Sequence, residues 1–499
     1  METELKFQVP AARSAALRKA VGTATARITR LQAVYFDTPD RRLAAAGLAL
    51  RLRKEGRLWV QTLKGRGDGL VQRLEHEVQL PAQAAMPALD LARHAGTPAG
   101  AALRAALAGA AAPQPLYRTD IHRLHRLVRS GDARIEIAHD QGEIVAGERR
   151  LAVDEIEFEL VTGPATALPA LAARWVSRFG LWWDVRTKSE RGHRLALGLE
   201  HVPPIKSEAQ ALAAGTAPRE AWQSLLQAAL AQATPNAAEV ADGRGTPEHL
   251  HQLRVALRRL RSVLRVYAPW GGDAPAAHAL EAEWRAPFAD LGAARDRDVL
   301  ALSLGDALAA AGAPAFGWPA GPLAPSAAEV ARSPVFTLLL LRTLALTLAD
   351  GAVAPAMPDA PDSSRLPAAA NLAEAARERL QPLWRRVRRE ALAFGAFSVA
   401  EQHRLRKRLK RLRYALEPFW PRLKPRPAER LRRALLAALD ALGDLNDLHR
   451  AEALFRSQAE AEPAAWFAVG YVVSRREAVE RLAQRRLAAW AALPLVWRR

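Results

Sequence analysis

The chain has 499 residues, half of them hydrophobic and a quarter charged, which is apolar material for more than one core and excludes wholesale disorder. It has no cysteine, so disulfides, thiolate metal sites and thiol nucleophiles are excluded, and any metal must take oxygen or imidazole ligands. Lys and Arg outnumber Asp and Glu by 72 to 52, and a formal charge of +20 favours a polyanionic partner: nucleic acid, anionic lipid or condensed phosphate.

The opening decapeptide, METELKFQVP, carries acids where a signal peptide would carry basic and then apolar residues, so a cytoplasmic protein is expected. Up to about residue 200 short runs alternate apolar and polar residues between Gly and Pro turns such as KGRGDG at Lys64–Gly69, a β pattern. Glu2, Glu4 and Lys6 share one strand face, opposite Thr3, Leu5, Phe7 and Val9. The same charged face recurs at Arg51 and Arg53, at Arg73, Glu75 and Glu77, at Arg134, Glu136 and Asp140, and at Glu155, Glu157 and Glu159.

One such strand is normally a solvated sheet face. Five that repeat strong acids and strong bases point to a wet interior, formed if antiparallel strands curl into a barrel whose apolar outside is covered by helices such as Pro169–Phe179. Clustered carboxylates imply a hard divalent cation, Mg2+ or Mn2+. The Arg and Lys positions then call for an anion, and guanidinium forks at strand spacing fit a chain of phosphates. Acids, metal and several bases together read as phosphoryl-transfer chemistry. The sequence has no Walker loop GxxxxGK[ST], and no covalent nucleophile is required.

At these residues the chain resembles the CYTH family, the triphosphate tunnel metalloenzymes. ETELK at Glu2–Lys6 fits the family's ExExK signature, followed in family order by YFDTPDRRL from Tyr35, LRLR from Leu50, QTLKG from Gln61, EIEFEL from Glu155 and TKSERG from Thr187. The resemblance spans about residues 1–203 and implies an eight-stranded antiparallel β tunnel with flanking helices. It implies Glu2, Glu4, Asp140, Glu157 and Glu159 as metal ligands. Lys6, Arg51, Arg53, Lys64, Arg73, Arg118, Arg134, Lys188 and Arg191 are implied as triphosphate contacts. Lys6 or Lys64 would stabilise the leaving oxygen, while Glu75 and Glu77 either position water or orient neighbouring arginines. Trp59, Trp182 and Trp183 are the only guesses for an aromatic platform under thiamine, and core packing is the better use for each.

Paired prolines in HVPPIK at His201–Lys206 stop strand and helix alike. Beyond them Ala, Leu and Arg recur at helical spacing, which predicts an all-α second half over 215–495, in two repeats of about 215–350 and 368–495. HQLRVALRRLR from His251 and HRLRKRLKRLR from His403 match, and LGAARD from Leu291 and LGDLND from Leu442 follow them, so a tandem, pseudo-symmetric helical bundle is expected. In each copy cations form one stripe (His251, Arg254, Arg258 and Arg261; His403, Arg406, Lys410 and Arg413) beside a leucine stripe that can be buried. Cations at that density repel unless an anion neutralises them.

The histidine-led repeats resemble the CHAD family, which implies binding of inorganic polyphosphate and association with polyphosphate granules. The expected architecture is thus two-domain α+β, and the expected activity is metal-dependent hydrolysis of inorganic triphosphate to diphosphate and phosphate. The alternatives are a non-enzymatic polyphosphate-binding, granule-associated protein and a CYTH enzyme acting on thiamine triphosphate or ATP. Nucleic acid is not expected as a specific partner, because helix-turn-helix, RNA-recognition and zinc-finger signatures are absent. No membrane partner is expected, because the most lipophilic run, Val335–Leu348, contains Arg342 and is too short to span.

Overall fold

In the first half the alternation of charged and apolar side chains becomes one antiparallel sheet in the computed structural model of the chain. The structure describes residues 2–66, 72–207, 212–213, 215–317, 325–348 and 372–497, with the side chains of residues 2, 66, 72, 73 and 293–303 outside that description. The strands are β1 (Glu2–Gln8), β2 (Arg27–Asp37), β3 (Ala49–Glu55), β4 (Leu58–Arg66), β5 (Gln72–Leu80), β6 (Gln114–Ser130), β7 (Ala133–Ala146), β8 (Arg149–Thr162) and β9 (Trp182–Trp183).

Their order is β5-β4-β3-β2-β6-β7-β8-β1-β9, and β1 also pairs with β5 through Glu2↔Arg73 and Thr3↔Gln72. That second pairing returns the sheet on itself, so the eight long strands form a tunnel. The ninth, a two-residue strand not read from the sequence, extends the β1 edge through Phe7↔Trp183. With a period of two, closure sends one face of every strand inward and the other outward. The outward residues Leu5, Phe7, Ile135, Ile137, Ile156 and Phe158 are almost fully buried. Phe158 meets Phe7 at 5.7 Å and Trp175 of the Ala167–Phe179 helix at 5.9 Å, so the expected covering helix is present, two residues longer at its start.

The lipophilic run from Val335 has a related use. It forms the Pro334–Leu348 helix, which packs on Ala167–Phe179 and buries Phe336, Leu339, Leu340, Leu341 and Leu344. Among the described residues no helix is long and apolar enough to cross a membrane.

The chain divides into two compact units that interleave in sequence. One comprises Met1–Lys206, Leu230–Leu253 and Ala327–Ala352, and the other comprises Ser207–Ala229, Arg254–Ser326 and Val353–Arg499. HVPPIK is neither helix nor strand, yet it is held in place. Ile205 exchanges two hydrogen bonds with the Asn236 side chain, and His249 Nε2 lies 2.8 Å from the Val202 carbonyl. His249 Nδ1 accepts from the Thr246 amide, so both ring nitrogens are used structurally.

In the second half of the chain the repeat is visible as helix geometry. The basic stripes lie on the Pro247–Val266 and Val399–Leu416 helices, and the LGxx segments lie in the helices Arg285–Ala310 and Pro425–Ala459. The copies are tied across the pseudo-symmetry: Tyr267 donates to the Ala415 carbonyl at 2.6 Å, and Arg259 makes a two-pronged pair with Glu417. The stretch between the two expected repeats, residues 351–367, lies outside the described residues.

Candidate functional site

The inward strand faces enclose a cavity of about 490 Å3 lined by charge. Its cations are Lys6 from β1, Arg51 and Arg53 from β3, Lys64 from β4, Arg123 from β6, and Lys188. Its carboxylates include Glu4, Glu75, Glu77, Glu136, Asp140, Glu157 and Glu159. Register decides who meets whom: Glu4 lies opposite Glu159, Lys6 opposite Glu157, and Lys64 opposite Glu75, where the ion pair closes to 3.0 Å.

Lys188 comes from a local device. Thr187 and Glu190 form a reciprocal capping box that starts the Lys188–Leu197 helix, so TKSE is a helix N-terminus with the lysine at its first position. Gly192 lets that helix approach the sheet, since a Cβ there would sit 2.2 Å from the Tyr117 ring. Lys188 Nζ thereby reaches Asp140, Glu155 and Glu157 at 2.7, 2.5 and 2.8 Å. Burial would lower its pKa, but those carboxylates outweigh burial and hold the ammonium well above its ordinary value. Glu157 is the mirror case: burial pushes it up, while Lys188 and Arg123 hold it well below the usual carboxylate range.

Asp140, Glu155 and Glu157 bring oxygens within 4.8 Å of one another, and Glu4 and Glu159 add a facing pair on the same lining. Oxygen donors of this kind suit a hard divalent cation. The deeper trio is engaged by Lys188, Arg123 and Arg191, and Glu157 lies on the cavity lining with Glu4 and Glu159.

Arg51 donates through Nη1 to the Tyr35 hydroxyl at 3.1 Å, while its buried Nε and Nη2 and the Nε of Arg53 make no hydrogen bond. Burying cationic donors unmet is unfavourable unless something else satisfies them. They face a cavity, so a negatively charged guest with several acceptor oxygens is the natural complement.

Several placements depart from the sequence expectation. Arg118 and Arg134 are exposed and do not line the cavity. On β6 the inward positions are Thr119, Ile121, Arg123 and His125, which leaves Arg118 facing out; at Arg134 a register shift before Ile135 turns the side chain away. Arg191 is buried behind the lining and ion-pairs with Glu155 without facing the cavity. The side chains of Glu2 and Arg73 lie outside the described residues. Arg123, Glu155 and Tyr35 join the site only through the tertiary structure. Arg123 forks onto Asp140 at 2.7 Å through both Nε and Nη2, and the Arg123↔Asp140 strand pairing that produces this cannot be read from either segment alone.

The second unit holds a larger cavity of about 1180 Å3, lined, among the described residues, by ten Lys and Arg side chains and one carboxylate, Glu281. Arg254, Arg258, Arg261, His403, Arg406 and Lys410 line it as expected, whereas His251 and Arg413 do not. Arg413 lies on the helix flank with its guanidinium over Tyr414 at 5.3 Å, and Lys407 and Arg411 face the cleft instead. Phe288 forms part of the floor, with Arg254, Arg258 and Arg261 all within 5.8 Å of its ring. Burial, then repulsion from Arg258 and Arg406, push Lys410 down to about 7. Such crowding of desolvated cations favours an anionic guest.

Comparison with known proteins bears on both cavities. Residues 1–180 match the model of the CYTH domain, and residues 224–456 match that of the CHAD domain. The inorganic triphosphatase of Haemophilus influenzae is 32% identical over 168 residues, 32% of this chain and 44% of that relative, so the match spans less than half the relative's length. Among solved structures, the CHAD domain of the plant Ricinus communis is 28% identical with a TM-score of 0.45, covering 59% of this chain and 99% of its own. A Hippeastrum adenylyl cyclase candidate described as having a dominant triphosphatase activity is 16% identical with a TM-score of 0.28, covering 41% and 98%.

Proposed function

The chain carries a CYTH domain over residues 1–180 and a CHAD domain over 224–456, and on that premise we propose that it hydrolyses inorganic triphosphate with Mg2+ or Mn2+ and binds inorganic polyphosphate through its helical half. The observation that carries the first part is the set of unmet, buried guanidinium donors of Arg51 and Arg53 facing a cavity that also gathers carboxylates.

A divalent cation held by Glu4, Glu159 and Glu157 would supply Lewis-acid neutralisation of phosphate oxygens. The chain's own groups do the rest. Arg51, Arg53, Arg123, Lys6 and Lys188 bind and straighten the triphosphate, which places the terminal phosphorus for in-line attack. Water forms the new P–O bond while the bond to the diphosphate oxygen breaks. The attacking water gives its proton to a carboxylate of the Glu75 and Glu77 pair. Burial favours the neutral form of Glu77, but Arg53 and Arg51 outweigh it and keep the group ionised, and Thr62 donates to Glu77 Oε1 at 3.0 Å. Lys64, fixed by Glu75, steadies the departing oxygen.

Inorganic triphosphate is favoured over thiamine triphosphate and ATP because a base or thiazolium needs an open aromatic face, and among the described residues the lining offers no tryptophan, while its Tyr35 ring is stacked on Tyr117 with the Arg51 guanidinium over it. Trp59, Trp182 and Trp183 are buried in packing. Phosphate release from triphosphate, ATP and thiamine triphosphate, each with Mg2+ or Mn2+, is expected to rank triphosphate first by at least about tenfold, a pocket-contact difference of ordinary size. Equal rates on all three would remove the specificity reading. The close approach of Lys188 Nζ to Asp140, Glu155 and Glu157 favours a second reading, in which an ammonium permanently fills the acidic set and the tunnel only binds phosphate. Undetectable phosphate release with either metal, alongside tight triphosphate binding, would establish it.

For the helical half, the excess of cations and the depressed Lys410 support polyphosphate binding with a defined pH dependence. Below pH 7 Lys410 already carries its proton. Above it the group is neutral in the free protein, and binding a polyanion must draw a proton in. Affinity for long-chain polyphosphate is therefore expected to fall as pH rises from 7 to 9, by up to about tenfold per unit. Lys410→Met should flatten that profile, and calorimetry in buffers of differing ionisation enthalpy should count close to one proton taken up at pH 8. A profile unchanged by the substitution would overturn the assignment. Competition between polyphosphate and DNA at fixed salt separates this reading from generic charge attraction.

A further inference from the structure

We propose that Glu239, in the Pro218–Ala241 helix, is a positioning residue for the tunnel lysine Lys6 and acts on it through Arg186. The inference rests on the reading of Lys6 as a triphosphate contact. Glu239 lies inside the segment matched by the CHAD domain, yet it belongs to the compact unit that contains the tunnel. A helix of the second half is therefore part of the apparatus that shapes the hydrolytic site.

Lys6 is held at both ends by one short segment. The Asp184 amide donates to the Lys6 carbonyl at 3.1 Å, and Lys6 Nζ donates to the Arg186 carbonyl. Residues 184–187 are neither strand nor helix, so no ladder sets the position of that carbonyl and side chains must do it. Arg186 supplies them. Its Nε and Nη2 fork onto Asp184 at 2.9 Å each, and its Nη1 bonds Glu239 Oε1 at 3.0 Å and Asp242 Oδ2 at 3.1 Å. Arg194 adds a bond to the same Glu239 oxygen at 3.2 Å.

Asp184 and Glu239 are fully buried and Arg186 is 6% exposed, so this is a low-dielectric network in which each charge depends on its partners. Asp184 is accordingly held far below the carboxylate range: burial opposes ionisation, but Arg186 outweighs it. Two of the three carboxylates on Arg186 come from the Pro218–Ala241 stretch and the residue just after it. With Glu239 neutralised, the arginine keeps Asp184 but loses its strongest tether to the helix. The carbonyl that aims Lys6 is then free to shift, and Lys188 begins its helix two residues further on.

The test uses the full chain with Glu239→Gln, the milder Asp242→Asn, Lys6→Met and the Glu239→Gln/Lys6→Met double variant. Triphosphate binding is measured by calorimetry without metal, hydrolysis with Mn2+, and folding by thermal unfolding. Glu239→Gln is expected to weaken triphosphate binding about tenfold and raise KM in proportion, and Asp242→Asn about threefold, the range of one charged hydrogen bond. In the Lys6→Met background Glu239→Gln should add less than about twofold, because its effect passes through Lys6. A Glu239→Gln protein that loses only thermal stability, or whose loss adds in full to that of Lys6→Met, overturns the proposal. If Glu239→Gln does not fold, Asp242→Asn takes its place in the same cycle with the same criterion. Wild-type protein that binds triphosphate without hydrolysing it overturns the proposed activity alone, and wild-type protein that does not bind it overturns both.

Discussion

Glu4→Gln is expected to lower metal-dependent triphosphate hydrolysis by at least about 100-fold while leaving thermal stability unchanged or slightly raised. Glu4 and Glu159 are directly opposed in the β1–β8 ladder and both line the tunnel. Like charges facing each other across paired strands are destabilising unless a cation offsets them. Glutamine preserves shape and hydrogen-bonding capacity and removes the charge. A structural role predicts a lower Tm with activity following it; a ligand role predicts lost activity, weaker Mn2+ binding by calorimetry, and an unchanged or higher Tm. Full activity with unaltered Mn2+ affinity would move the metal assignment to Asp140, Glu155 and Glu157, whose oxygens are also mutually close.

Arg51→Ala should be the second large effect, with hydrolysis falling about 100- to 1000-fold, the range for deleting one preorganised donor to developing phosphate charge. Two of the three nitrogens of this guanidinium are buried without a hydrogen bond, Nη1 meets the Tyr35 hydroxyl, and Nη2 lies 3.9 Å from Glu77. Tyr35, Glu75 and Glu77 nonetheless hold the group charged against its burial, so thermal unfolding is measured beside the rate to separate lost folding from lost catalysis. Arg118→Ala and Arg134→Ala, whose side chains face away from the cavity, serve as controls and should stay within about twofold, as surface substitutions do. If all three arginines lowered the rate alike, the loss would reflect net charge and the named donors would have no special role. A salt titration of KM separates the two, since long-range attraction is screened and contact within the tunnel much less so.

The candidate site was legible in the sequence to the extent that its residues announce themselves by alternation. Glu4 and Lys6, Arg51 and Arg53, Glu75 and Glu77, Glu157 and Glu159 each sit two apart, and each pair lines the cavity. Arg123 was missed because in IHRLHRLVR the arginines recur every third residue, a spacing that belongs to no strand face, and only the β6–β7 register picks one of them out. Arg134 was misplaced because its alternation with Glu136 is genuine in sequence and broken in space by a bulge. Glu155 stood in plain sight in EIEFEL, yet its part in the trio around Lys188 depends on a helix more than thirty residues further along the chain. In the helical half, three-and-four spacing located the basic stripes, and the way the helices face the cleft exchanged Arg413 for Lys407 and Arg411.

By itself the sequence determined strand or helix, the charged face of each strand, the duplication of the basic helix, and a net charge that favours an anionic partner. Each of these is a property of neighbours within a few residues, where covalent geometry sets the period. Only the tertiary structure decided which acid meets which base, that Lys188 closes over Asp140, and that the Glu239 carboxylate bonds Arg186, whose carbonyl accepts from Lys6. Those outcomes follow from sheet closure, bulges and helix docking, which join segments far apart in the chain and so leave no periodic trace in any one of them.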